Sequence, residues 1–219
     1  MSEIEKKLLF DQELEELSDG HYVLMNCSVR KLTGDVHVEL QGNCVVNEAC
    51  GSAVLDRVSG RSSIELMSEF AKVVRLEEEA VVKKMLHMSV IEEMADRSCV
   101  QEMYDLSRIV TAEGSSQIFR MYEKSRLQQL KGGAAIMVLR GNAVVDEMRE
   151  DSAVFLIHRR GEVRKMFDHS SVLSMKEGAV VREMYNESFI VEMSGESSVL
   201  SRKDDSTVRA IYENATVSV

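Results

Sequence analysis

Proline and tryptophan are absent from this chain of 219 residues, and aromatic residues make up only 5% of it. A core built from large rings is excluded, although the 44% hydrophobic content is ample for medium-sized aliphatic and thioether side chains. No run of about 18 apolar residues occurs, so no membrane-spanning helix is expected. No basic-then-apolar leader opens the sequence either. The four cysteines, Cys27, Cys44, Cys50 and Cys99, follow neither a metal-ligand spacing nor a disulfide framework. A reducing cytoplasm is the expected setting. Lys and Arg total 27 against 37 Asp and Glu, which argues against direct nucleic-acid binding. Gly-rich phosphate loops, nucleophile elbows and the Gly-Gly-x-Gly-x-Asp turns of calcium-binding rolls are missing. Neither a cofactor nor a metal is expected.

What is present is a repeat. A nine-residue unit, small-x-Val-x-x-Met-x-x-x, runs from about Cys44 to the last residue without a slipped register. Numbering its positions as slots 1 to 9, slot 1 holds Ser or Ala (Ser98, Ser107, Ala134, Ala143) and once Gly161. Slot 3 holds Val, Ile or Leu (Val100, Ile109, Ile118, Leu127), and slot 6 holds most of the 14 methionines (Met103, Met121, Met148, Met166). A period this short implies a solenoid whose units bury apolar side chains only against their neighbours. Nine residues advance a helix by about 900°, which would throw successive units onto opposite sides, so the repeat is not helical. In a strand, slots 1 and 3 share a side, and slot 6 is reached after a bend. Nine residues are too few to encircle a packed interior, so two units, or 18 residues, are assigned to each turn.

The expected fold is an all-β parallel β-solenoid with about ten turns after Cys44. At roughly 4.8 Å per coil the rod is on the order of 50 Å long, and right-handed winding is the default for parallel crossovers. Residues 21–43 read as degenerate coils and 44–219 as the regular array. Residues 1–20 carry seven acids against Lys6 and Lys7, half of the net charge of −10. Ile4, Leu8, Phe10, Leu14 and Leu17 fall on one broad helical face, with Asp19-Gly20 as a stop. That segment is expected to be an acidic amphipathic helix capping the first coil.

The S-x-V-x-x-M unit, as in Ser188-Phe-Ile-Val-Glu-Met193, resembles the nonapeptide β-solenoid arrays encoded in bacterial and phage genomes. These are similar in logic to pentapeptide-repeat proteins. The likeness covers about four-fifths of the chain and implies an architecture rather than an activity.

At 18 residues per turn, alternate units stack on one side. Slot 4 of that side then reads Lys83, Gln101, Phe119, Met137, Phe155, Leu173, Val191 and Arg209. Phe119, Met137, Phe155, Leu173 and Val191 form an apolar ladder about 20 Å long, extended by Val138 and Leu156 and flanked by Ala135, Ala153 and Phe189. The equivalent column opposite, Val110, Gln128, Asp146, Arg164, Arg182 and Leu200, is mixed and largely polar. The expectation is therefore a non-enzymatic scaffold that forms a homodimer, or docks another protein, through the ladder. The final coil, ending at Thr216-Val-Ser-Val219, offers a second route to pairing. An edge rich in Glu78, Glu79, Asp96, Glu150, Asp151, Asp168, Glu187, Asp204 and Asp205 also admits an inhibitor that imitates nucleic acid toward a DNA- or RNA-handling protein. Asp151, His169 and Glu187, spaced by 18, admit an enzyme site, with ordinary surface charge pairing as the plainer account. His158-Arg159-Arg160 forms a local basic corner.

Overall fold

The structure, a computed structural model, describes residues 5–218. All of its regular elements are β-strands, 23 in a single sheet. Three begin the chain: β1 (Lys7–Phe10), β2 (Glu13–Met25) and β3 (Ser28–Gln41). Every unit thereafter contributes one short strand, from β4 (Val45–Ala49) and β5 (Val54–Val58) to β22 (Thr207–Ile211) and β23 (Thr216–Val217). Each pairs in parallel with the strand two places on, so even-numbered strands make one face of the rod and odd-numbered strands the other. In β10 (Cys99–Met103) and β12 (Gln117–Met121), Cys99 lies beside Gln117 and Val100 beside Ile118, residues 18 apart. The parallel β-solenoid and its 18-residue turn are as expected, with about 12 turns in all.

The unit dictates where each side chain goes. In β10 the slot 3 and slot 6 residues, Val100 and Met103, point inward and are fully buried, while Gln101 is exposed. Because the register is constant, like stacks on like. Ile118, Ile136, Val154, Val172 and Ile190 form one internal column, and Met148, Met166 and Met184 part of another. Each such burial stabilises the coil by roughly 1.5–3 kcal/mol before ordering entropy is deducted. Thioethers fill the space left where the coil bends.

Slot 1 is small because it follows a tight turn, in which its amide donates to the carbonyl three residues earlier (Ser107 N to Tyr104 O, 3.1 Å). Ser197 and Ser206 also donate their hydroxyls to the carbonyl three residues earlier. The buried hydroxyls of Ser107 and Ser125 make no hydrogen bond. Size, not polarity, sets the choice at this slot.

The N-terminal segment corrects the helical expectation. From Lys7 onward it is strand, not helix, and Ile4 lies outside the described residues. Lys7 pairs with Tyr22 and Glu13 with Ser28, both 15 residues apart; after an irregularity between Leu17 and Asp19 the offset becomes 16. It reaches 17 between β3 and β4 and settles at 18 from Glu39–Arg57 onward. The first coils are smaller laps of the same rod. Leu14 and Leu17 align with Val29 and Leu32 and pack against the core, whereas Leu8 and Phe10 are exposed. The open parallel edge of β3 supplies a ready hydrogen-bond ladder, whereas a short helix standing alone is marginal, and the i, i+3 leucine spacing suits slots 3 and 6 equally well. The segment's acids, including Glu13, Glu15 and Glu16, lie along the rod's first edge, where charge opposes further strand addition.

One coil departs from the rule at slot 1. Arg159 and Arg160 both adopt left-handed backbone (φ 51° and 67°), which swings Gly161 so that a Cβ would lie 2.7 Å from the Leu139 carbonyl oxygen and 2.9 Å from Ile157 Cγ2. Restoring the consensus by Gly161→Ala is expected to destabilise the fold by about 1–3 kcal/mol. Ser125→Ala, which removes an unpartnered hydroxyl, is expected to be neutral or stabilising. Thermal unfolding followed by circular dichroism checks both, and equal melting temperatures for the two variants would contradict this account of slot 1.

Candidate functional site

Five consecutive even-numbered strands carry the apolar ladder: β12, β14 (Ala135–Arg140), β16 (Ala153–His158), β18 (Ser171–Lys176) and β20 (Phe189–Met193). Their registers run Ile118–Ile136–Val154–Val172–Ile190, so the neighbouring slot 4 residues Phe119, Met137, Phe155, Leu173 and Val191 stand in one vertical line. Phe119 and Phe155 remain 42% and 41% exposed, and the three between and beyond them are half-buried by one another. Val138 and Leu156 stack beside them in slot 5, and Ala135 and Ala153 in slot 2. Charge marks both ends: Arg120 donates to Glu102 at 2.8 Å below, and Arg209 lies over the Phe189 ring above.

The opposite face is built on the same backbone but closed by charge. Asp146 bridges Arg126 (2.7 Å) and Arg164 (3.1 Å), while Glu162 holds Arg164 (3.3 Å) and Arg182 (2.6 Å). Lower down, Glu77, almost fully buried, accepts from Arg57 and Arg75, and Arg75 also reaches Glu93. Coils of alternating sign leave this face with its charges internally matched.

The corners explain the slot 8 acids of the acidic edge, Glu79, Asp151, Glu187 and Asp205 lying in slot 9. Slot 8 is left-handed in nearly every regular unit, as in Glu78 (φ 59°), Asp96 (55°), Asp105 (56°), Glu123 (58°) and Asp168 (57°). For a non-glycine residue this conformation costs about 1–2 kcal/mol. A hydrogen bond between coils offsets it: the slot 8 carboxylate accepts from the slot 8 amide one coil below. Such bonds join Glu78 N to Asp96 (3.1 Å), His87 N to Asp105 (2.9 Å), Asp105 N to Glu123 (2.9 Å), Glu150 N to Asp168 (3.1 Å) and Asn186 N to Asp204 (3.1 Å). Charge-assisted bonds of this kind are stronger than neutral ones. Glu78, Asp96, Glu150, Asp168 and Asp204 are thus parts of the turn. Sequence reasoning missed this role, although an acid or Gly in slot 8 of most units was its readable signal.

Slot 7 carries stacked rings. Tyr104 and Tyr122 lie 4.9 Å apart between Lys84 and Arg140, and Phe167 and Tyr185 lie 4.8 Å apart between Arg149 and Lys203. Glu102 accepts from the Tyr104 hydroxyl; burial, then that carboxylate, push the phenol up to about 12. Slot 9 of the same corner exposes Phe70 (63%), Met88 (44%) and Leu106 (56%), a shorter apolar stripe that an 18-residue reading of slot 9 would have revealed.

The remaining candidates are less organised. His169 sits between Asp151 (3.8 Å) and Glu187 (3.3 Å) as expected from the spacing, but all three side chains are more than 60% exposed. Among the described residues no group of three His, Cys, Asp or Glu is arranged to hold a metal. Burial lowers the His158 pKa, with the neighbouring Arg140 and Arg159 acting in the same direction against Glu177. The cysteines are free; burial pushes the Cys99 thiol up to about 11, away from thiolate chemistry at neutral pH. Among the described residues no helix is long and apolar enough to cross a membrane. Comparison of the chain with protein-family models, curated proteins and solved structures finds no match.

The charged face makes a pH prediction. The hydrogen bond from Arg182, aided by Arg164 and opposed by burial, holds the Glu162 carboxyl below its ordinary value of 4.5. Its stabilising contribution is complete above that value and is lost as pH falls through the lower, folded one. Melting temperature should fall as pH drops below 4.5, and Glu162→Gln should flatten that decline. An unchanged acid slope in the variant would remove Glu162 from the account.

Proposed function

We propose that this protein is a non-enzymatic interaction rod that self-associates side to side through its even-numbered face. The observation that carries the reading is the uninterrupted ladder from Phe119 to Val191, set against an opposite face whose ion pairs are matched within the chain. Monomeric proteins seldom leave a contiguous apolar strip of this kind uncovered, and scattered exposed residues would carry no such weight.

A second copy fits the strip. The strip belongs to a parallel sheet of constant register, and one apolar sheet face can pack against another. Seven coils, from β10 to β22, present a footprint of roughly 34 Å by 16 Å. With side-chain relief this is of the same order as the ~800 Å² per partner of a standard interface. The rim is polar and partly charged (Gln101, Gln117, Arg120, Glu192), as interfaces are at their edges. A rod that pairs through one face keeps its corners and its charged face available to further macromolecules.

Phe155→Asp is expected to give a folded monomer, weakening self-association by at least about 100-fold, or about 2.7 kcal/mol. Light scattering reads the mass, and circular dichroism confirms that the coils persist. An unchanged oligomer would reject this face as the interface.

A further inference from the structure

We infer that two copies of this chain pair as antiparallel rods about a two-fold axis passing through β16; the inference rests on the self-association proposed above. A face-to-face two-fold pair has two simple arrangements. With the axis along the rods, each coil meets its own copy. With the axis in the interface and across the rods, coil order reverses while slots stay aligned. The antiparallel arrangement then sets β12 against β20, β14 against β18, and β16 against itself.

Side-chain volume favours the second arrangement. The ladder reads Phe119, Met137, Phe155, Leu173 and Val191, with both rings in its first three coils and its smallest member at the far end. Parallel pairing would put ring against ring at Phe119 and at Phe155 and Val191 against Val191 at the other end, so the slot 4 contacts would be uneven along the rod. Antiparallel pairing sets Phe119 against Val191 and Met137 against Leu173, which gives the rungs on either side of the axis similar combined volume. Phe155 meets Phe155 at the axis, beside the small Ala153 two positions earlier on the same outer side.

Charge agrees independently. In slot 5, Arg120 on β12 lies opposite Glu192 of the partner subunit, and the symmetry makes this pair twice. Leu156 meets Leu156 between them. Each already has a partner within the chain but keeps a solvent-facing side: the Arg120 side chain is 55% exposed while paired with Glu102, and Glu192 is 43% exposed while paired with Lys176 at 3.7 Å and accepting from Ser174. Parallel pairing would instead hold each group level with its own copy.

Cross-linking tests the register in a Cys99→Ser background, which removes the half-exposed native thiol. Phe119→Cys and Val191→Cys proteins, differing in mass by a tag, are mixed and oxidised. The antiparallel pair gives the mixed Phe119→Cys–Val191→Cys cross-link, and neither protein alone gives one. A homodimeric cross-link of Phe119→Cys alone would overturn the antiparallel register while leaving lateral pairing intact. A wild-type protein that is monomeric by light scattering at high concentration would overturn both. Arg120→Glu and Glu192→Arg should each weaken association about tenfold, and the two together in one chain should restore it. Failure of the double variant to recover would remove the charge pair from the interface.

Discussion

The parallel hydrogen-bond register between residues 18 apart is the constraint on which the rest of this molecule depends. Once Val100 sits beside Ile118, every other slot is bound to repeat in line, inside and outside. Inside, this gives columns of Val, Ile and Met with matched volumes, which is why a chain almost without aromatic residues still closes a continuous core. The same register continues round the corners: Tyr104 N donates to Met85 O and Leu106 N to His87 O, both at 3.0 Å, so few backbone groups are left unpaired between strands.

Turning a chain every nine residues without proline, and with few glycines, has a conformational cost. A left-handed residue is needed at each corner, and about half of the corners place an acid there, with Gly at most of the others. The carboxylate compensates by accepting the amide of the residue beneath it, so the turn of one coil is completed by the side chain of the next. Much of the net negative charge is accordingly a consequence of how the rod turns. Acidity along this edge arises from backbone geometry before any partner is considered.

The two faces share a backbone and differ only in slots 2, 4 and 5. One carries Asp146 and Glu162 among Arg126, Arg164 and Arg182, a set whose attractions are satisfied within the chain. The other carries Phe119 to Val191, whose side chains shield one another only partly. A regular scaffold cannot leave such a difference to packing, because the interior is the same behind both faces. The asymmetry belongs to the surface, and the functional reading follows from it.

Periodicity by itself determined a great deal: the strands, the 18-residue lap, and the vertical line of Phe119, Met137, Phe155, Leu173 and Val191. These follow from counting, because an integral register carries any slot onto itself. Counting failed where two structures share a spacing. Leu14-x-x-Leu17 suits a helix or slots 3 and 6 equally, and only the available edge of β3 selected the strand. The sign of φ at slot 8 was also hidden, since Glu78 and Asp96 resemble ordinary surface acids until the amide below them is located. The clash awaiting a Cβ at Gly161 and the diagonal pairing of Arg126 with Asp146, 20 residues on, likewise needed three dimensions. A one-dimensional pattern fixes which residues share a column, but contacts across columns and backbone handedness depend on where the coil bends, which only the folded chain decides.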